Sequence, residues 1–209
     1  MGLKSVVLGA ILLSTSLVQA SDCTNVQAVQ SLQLSYPAQS ILTQPVDVQF
    51  RLDGEMLIAQ FEVRSDVINA KEKLGPKEYP YQGDVVELFI SVSGNASSMP
   101  YYEFELSPYN NTFEVRVDDL KKPFVENINM GMVHQVLRTE TGWKAEMGIP
   151  LRNLGWNGDP SLIVGNAYSI LGKSPGRSFW SLSLPPQVKP NFHKPEFFKP
   201  LLICSDNKN

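Results

Sequence analysis

The feature that most constrains the fold is a series of short segments in which apolar and polar residues alternate. In residues 46–51 every second residue is apolar, and Asp53-Gly54 then gives a strong hairpin signal before the apolar-rich run 56–63. A period of two places one face of a strand in a core and the other outside it. Further runs of this kind span 85–91, 102–106, 113–117, 131–137, 144–149, 162–170 and 179–182.

Turn-forming clusters separate these runs, and no long segment has a helical period. Ser93-Gly94-Asn95, Glu140-Thr141-Gly142 and Asn157-Gly158-Asp159-Pro160 are examples. One small helical turn is expected at 151–154, after Pro150. Eight or more short strands without a long helix predict an all-β fold, an antiparallel β-sandwich of jelly-roll or immunoglobulin-like type.

The first twenty residues predict a secretory signal peptide. They contain Lys4, an apolar run over residues 6–13, and the small-residue end Val18-Gln19-Ala20. Cleavage before Ser21 leaves residues 21–209, a length suited to a single domain. No later run approaches the ~20 apolar residues that a membrane helix needs. We therefore expect a periplasmic or extracellular protein without membrane insertion.

The charge pattern excludes several kinds of partner. The chain has 18 Lys and Arg against 21 Asp and Glu, for a net charge of -3, and neither sign forms a long block. Nucleic acids and anionic membranes call for a basic face, which this chain lacks. We expect a monomer that binds neither.

Cys23 and Cys204 are the only cysteines and lie near the two ends of the exported segment. In an oxidising compartment such a pair predicts one disulfide that joins the termini, with two free thiols as the alternative. Their separation offers no local ligand spacing for zinc, so no metal site is expected from them.

Five blocks of sequence resemble a known family. They are GDVVELFI at 83–90, YYEFELSP at 101–108, GWKAEMGIP at 142–150, SFWS at 178–181 and NFHKPEFF at 191–198. In this order they resemble the family 9 carbohydrate-binding modules and a wider group of relatives that includes DOMON-like sandwiches. The resemblance covers roughly residues 45–201. It implies a carbohydrate-binding-module-like β-sandwich over 21–209 that binds a mono- or oligosaccharide.

The candidate site combines aromatic rings with polar side chains, as a sugar ring requires for stacking and hydrogen bonding. The resemblance implies that Tyr81 supplies one stacking ring, and that the region of Asn166 and Trp180 supplies the second ring and an amide ligand. Two long loops, 66–82 and 184–199, are expected to form the site, because long ordered loops usually serve binding. The candidate ligand-binding residues are Tyr81, Glu87, Glu103, Asn166, Trp180, Asn191 and His193.

Each candidate also has a structural interpretation. Trp180 fits a core position, Tyr81 fits a cap on the sandwich, and Glu87 fits an inward carboxylate that binds loop amides. His193 fits either the site or a hydrogen bond that anchors its loop. The sequence leaves these alternatives open.

Catalysis is not expected. Glu103 and Glu105 share a strand face and so form a carboxyl pair of the glycosidase kind. However, the sequence has no nucleophile elbow, no phosphate-binding glycine loop and no His-x-x-x-His motif. The resemblance implies calcium in some family members, but this chain has no clustered Asp/Asn loop, so no cofactor is expected.

Two other functions remain open. Related sandwiches hold haem through Met, His or Lys ligands, and Met130, Met132 and His134 alternate along one predicted strand, although their pattern favours a Met-lined core strand. The covalent haem motif Cys-x-x-Cys-His is absent. The second alternative is an interaction module with a decayed sugar site, because Glu103 and Ser169 stand where the resemblance implies arginine.

Overall fold

The computed structural model describes residues 22–23, 26–37, 45–95 and 99–205. The predicted signal peptide, residues 1–20, lies outside the described residues. Among the described residues the helical segments are short 3-10 turns, at Pro80–Gln82, Leu151–Leu154, Pro160–Leu162 and Pro195–Phe197. No helix there is long and apolar enough to cross a membrane.

The rest of the regular structure consists of β-strands. In chain order they are β1 (Asp22–Cys23), β2 (Gln30–Ser31), β3 (Gln33–Tyr36), β4 (Val46–Asp53), β5 (Met56–Arg64), β6 (Val85–Ser91), β7 (Tyr101–Leu106), β8 (Thr112–Val117), β9 (Val125–Glu126), β10 (Val133–Thr139), β11 (Gly142–Pro150), β12 (Val164–Leu171), β13 (Ser178–Ser181), β14 (Lys199–Pro200) and β15 (Cys204–Ser205).

The strands form two main antiparallel sheets that pack as a sandwich. The five-stranded sheet has the order β10-β11-β5-β4-β2. The eight-stranded sheet has the order β3-β13-β12-β6-β7-β8-β9, with β14 also paired to β12. A separate pair, β1 with β15, joins the two ends of the described chain. The predicted all-β antiparallel sandwich is confirmed.

The longer strands follow the sequence alternation closely. β6 and the turn at Leu151–Leu154 have the predicted bounds. β10 begins at Val133 rather than Gly131, whose φ of +81° is left-handed and does not extend a strand. The short strands β2, β3, β9 and β14 were not expected from the sequence, because two to four residues are too few to show an alternating pattern.

The core lies between the two sheets. Val86, Leu88 and Ile90 of β6 are fully buried and face the five-stranded sheet, which contributes Phe61 and Trp143 to the same cluster. Fully burying a side chain of this size stabilises the fold by about 1.5–3 kcal/mol. Trp143 has no exposed surface and is the largest fully buried side chain of this core.

The outer face of the eight-stranded sheet is covered as well. Every residue of β6, β7 and β12 is buried, although alternation sends half of them away from the sandwich core. The segment 182–198 crosses this outer face, and its Leu184, Phe192 and Phe198 join a second apolar cluster there. The Phe192 ring stacks on Tyr168 with 4.2 Å between centroids. This covered face carries the candidate site.

Candidate functional site

A cleft of about 390 Å³ opens on the outer face of the eight-stranded sheet, within the size range of small-molecule sites. The two long loops meet there, since residues 65–84 contribute Tyr81 and residues 182–198 contribute His193. The lining residues are Tyr81, Glu87, Phe89, Glu103, Phe113, Val115, Phe124, Glu126, Ile170, Phe179, Pro190, Asn191, Phe192 and His193.

Tyr81 lies at the mouth of the cleft and is held in place by its backbone. It sits in the 3-10 turn Pro80–Gln82, and its N–H donates to Glu105 Oε2 at 2.9 Å. Its ring stacks on Tyr79, with centroids 5.2 Å apart and planes 8° apart. The residue is still 39% exposed. Tyr81 is therefore an ordered aromatic surface that remains open to solvent.

Arg177 also holds the loop that carries Tyr81. Its guanidinium donates to the Tyr81 carbonyl oxygen and lies 5.3 Å from the centroid of the Phe179 ring. The Arg177 Nε is buried without a hydrogen-bond partner among the described residues. Burial lowers the pKa of Arg177, while the nearby Glu87 and Asp84 oppose that effect. Arg177 thus links the Tyr81 loop to the wall formed by Phe179.

Three glutamates lie close together beneath these rings, and two of them, Glu87 and Glu103, line the cleft. Glu87 of β6 lies directly opposite Glu105 of β7, and Glu103 lies two residues away on the same face. They are 2%, 0% and 6% exposed, in that order. Burial raises the pKa of Glu103 to about 7, and burial together with like-charged neighbours raises the pKa values of Glu87 and Glu105 well above the ordinary range. The raised pKa values favour the protonated carboxyls, which can donate hydrogen bonds as well as accept them.

His193 closes the cleft from the C-terminal loop. Its Nδ1 hydrogen-bonds the Tyr101 hydroxyl at 2.7 Å, and its Nε2 lies 3.8 Å from Glu103 Oε2. Burial lowers the pKa of His193 to about 4, so the ring is neutral near pH 7. Phe124 packs against it, with centroids 4.7 Å apart. Both interpretations from the sequence apply, since His193 anchors its loop and also lines the cleft.

Trp180 does not reach this cleft. It is 4% exposed and belongs to the cluster between the two sheets, and its Nε1 donates to Ser178 Oγ at 2.9 Å. The expectation that Trp180 lines a pocket with Tyr81 and His193 is therefore wrong. Alternation along β13 turns Phe179 outward instead.

The two asparagines lie in different places. Asn166 is fully buried beneath the covering loop, and its Oδ1 accepts a hydrogen bond from the Ser181 hydroxyl at 3.4 Å. Asn191 is exposed at the rim of the cleft, where its Oδ1 accepts the His193 N–H at 3.0 Å. Of the two, only Asn191 lines the cleft.

The residues considered for haem lie in β10 or just before it, and none of them lines the cleft. Met130 and Met132 precede β10 rather than belonging to it, and Met132 is buried in the inter-sheet core. His134 hydrogen-bonds Asn110 Oδ1 at 3.0 Å. Within the described part of the chain no group of three or more His, Cys, Asp or Glu side chains is arranged to hold a metal ion.

Several cleft residues were not predicted from the sequence. Phe179 was detectable, because alternation places it on the opposite face of its strand from Trp180. Phe124 and Glu126 had no such signal, since only the packing of distant segments brings them to the cleft. The same holds for Arg177, which holds the Tyr81 loop without lining the cleft.

Comparison with solved structures identifies the fold. A putative carbohydrate-binding protein from Bacteroides uniformis has a TM-score of 0.65 and 19% identity, with 85% of each chain covered. A family 9 carbohydrate-binding module from Caldicellulosiruptor kristjanssonii in complex with cellotriose has a TM-score of 0.57 and 16% identity, covering 93% of this chain and 94% of that one. A module of that family from the same organism, in complex with glucose, has a TM-score of 0.54 and 17% identity, covering 86% and 88%.

No protein-family model matches the sequence, and no curated protein matches it either. The solved structures nevertheless show that the chain has a fold like that of the family 9 carbohydrate-binding modules. At these identities the likeness shows the fold alone.

Proposed function

We propose that this protein binds carbohydrate and holds a mono- or oligosaccharide in the cleft at Tyr81. The observation that carries the proposal is the state of the Tyr81 ring, which is 39% exposed at the mouth of the cleft. The Glu105 hydrogen bond, the Arg177 hydrogen bond and the Tyr79 stack hold its loop and ring. An aromatic surface ordered before binding loses little conformational entropy when a sugar ring stacks on it.

The other cleft residues complement a sugar's hydroxyl groups. Glu87 and Glu103 present carboxyl groups at the floor, and Asn191 presents an amide at the rim. Stacking a sugar's C–H face on Tyr81 contributes about 1 kcal/mol on the usual area scale. Specificity then comes from the hydrogen bonds, because a site built to hydrogen-bond a hydroxyl rejects a ligand that lacks it.

The arrangement of the carboxyls favours binding over hydrolysis. Glycosidases place two carboxyl groups on opposite sides of the bond they cleave. Glu87, Glu103 and Glu105 instead lie side by side on one face of one sheet, where their pKa values rise together. The fold's likeness to carbohydrate-binding modules supports the same proposal.

The experiment is a glycan array on residues 21–209, followed by titration calorimetry with the best ligand. Tyr81→Ala is expected to weaken binding by about 1–2 kcal/mol, or roughly 5- to 30-fold, with the unfolding midpoint nearly unchanged. Tyr109→Ala is the matched control, because Tyr109 is 37% exposed and does not line the cleft. Equal losses in the two variants, or no glycan bound at all, would contradict the proposal.

We further propose that the protein is an exported monomer with a Cys23–Cys204 disulfide. The structure describes only the backbones of these two residues, and in the antiparallel β1–β15 pair Cys23 and Cys204 are direct Cα partners. Opposite residues in such pairs have Cα atoms about 4.5–5.5 Å apart, which suits a disulfide. Mass spectrometry of periplasmic protein should show a gain of two hydrogens on reduction, and free thiols in that protein would refute the bridge.

A further inference from the structure

The floor of the cleft contains a carboxyl group, that of Glu87, to which the described residues give no hydrogen bond. Glu87 is 2% exposed and lines the cleft. Among the described residues the structure gives its carboxyl no hydrogen bond and no ion pair. A buried carboxyl normally has both, because leaving it without a partner costs free energy of folding. The Glu87 carboxyl is therefore a position where a ligand atom would supply the missing contact.

The groups that face Glu87 are mostly acidic. Glu103 and Glu105 come from β7, and Glu126 comes from β9. Among the described residues, the other titratable side chains that line the cleft are Tyr81 and His193, and burial keeps His193 neutral at pH 7 by lowering its pKa.

Arg177, the cation that acts on Glu87, already makes other contacts in the protein. Arg177 acts on Glu87 electrostatically, but its guanidinium donates to the Tyr81 carbonyl and lies over the Phe179 ring. No lysine or arginine is among the cleft's lining residues within the described chain. The cleft thus combines an excess of carboxyl groups with exposed aromatic surface.

We propose that this cleft prefers a saccharide bearing a primary ammonium group, that is, an amino sugar over its neutral or N-acetylated counterpart. An ammonium offers three donors, so it can reach Glu87 and Glu103 together. Hydrogen bonds between an ammonium and a carboxylate are shorter and stronger than those between neutral groups. The ring faces of Tyr81 and Phe124 attract a cation as well. This inference rests on the proposed carbohydrate function and specifies its ligand class.

The preference carries a pH signature. An ammonium ligand favours the ionised carboxylates, so its binding displaces a proton from the glutamate cluster. Because the pKa of Glu103 is raised to about 7, affinity for the amino sugar should increase as the pH rises toward 7. A neutral sugar lacks this coupling and should show a weaker pH dependence.

The test compares two matched trisaccharides by titration calorimetry: cellotriose and the β-1,4-linked glucosamine trimer, which differ in a hydroxyl or an amino group at C2. At pH 7 the glucosamine trimer is expected to bind at least about 10-fold more tightly, with proton release that is seen as a dependence of the heat on the buffer. The fully N-acetylated trimer should bind no more tightly than cellotriose.

Two variants locate the effect. Glu103→Gln should reduce the ratio of the two affinities by about 10-fold. Glu62→Gln, which removes an exposed carboxylate from the other sheet, should leave the ratio unchanged. Equal affinity of wild type for both trimers would overturn this inference while leaving carbohydrate binding in place. If Glu103→Gln and Glu62→Gln changed the ratio of the two affinities equally, the preference would come from general charge attraction. That result would also overturn the inference. Failure of every saccharide to bind would remove the proposed function together with the inference.

Discussion

In β6, β7 and β12 both faces of the eight-stranded sheet are buried, but the two faces differ in chemistry. On the inner face, β6 and β7 present Val86, Leu88 and Phe104 to the opposite sheet. On the outer face, the same two strands present Glu87 and Glu103 beneath a loop. Burial by itself therefore does not separate core from site in this protein. The site differs from the core because its polar groups are covered by a loop, whereas the core residues are covered by a second sheet. A loop can leave an opening through which a ligand enters.

The largest expected difference between the two faces is in the stability lost when neighbouring residues of β13 are truncated. Trp180→Ala should lower the free energy of unfolding by about 3–5 kcal/mol, because the ring is removed from the inter-sheet core. Phe179→Ala should cost less, because Phe179 is only half-buried on the outer face, but it should weaken saccharide binding. Urea unfolding and titration calorimetry on both variants measure the two effects. A smaller stability loss for Trp180→Ala than for Phe179→Ala would contradict this assignment of the faces.

The next largest expected effect is a pH dependence of the folding stability, which arises from Glu103 on the outer face. The pKa of Glu103 is raised from 4.5 to about 7, so the folded state binds more protons than the unfolded state between these values. Stability from this group is present below pH 4.5 and is lost as the pH rises to about 7, a change of about 3 kcal/mol.

His193 acts in the opposite direction, because its pKa is lowered from 6.5 to about 4. The Glu103 contribution is therefore visible only as a difference between wild type and Glu103→Gln. Measured by urea unfolding across this pH range, the stability of the variant relative to wild type should increase with pH. A constant difference would mean that Glu103 titrates normally in the folded protein.

The smallest expected effect is on stability and is seen by comparing two adjacent tyrosines on opposite faces of β7. Tyr101→Phe removes the hydroxyl that hydrogen-bonds His193 and should cost about 1 kcal/mol of stability. Tyr102→Phe should cost less than about 0.5 kcal/mol, because among the described residues the structure gives the Tyr102 hydroxyl no hydrogen bond. Thermal or urea unfolding of the two variants decides this, and equal losses would contradict it.

Most of the fold was predictable because alternation is a local property. The β4–β5 hairpin, β6 and β11 follow from residue patterns a few positions long, and they define which side chains share a face. The site was only partly predictable. Tyr81, Glu87 and His193 line one cleft. Trp180 lies in the inter-sheet core instead, because the resemblance implied a ring in its region without specifying which face of the strand carries it.

The sequence by itself determined the class of fold, the longer strands and the two loops that border the cleft, because strand alternation and turn chemistry act over a few residues. Only the tertiary structure decided that the outer face is covered and that Glu87, Glu103 and Glu105 lie close together on that face. It also decided that Arg177 holds the Tyr81 loop. These relations join residues up to 96 positions apart. They depend on how segment 182–198 packs across the sheet, and no local pattern specifies that packing.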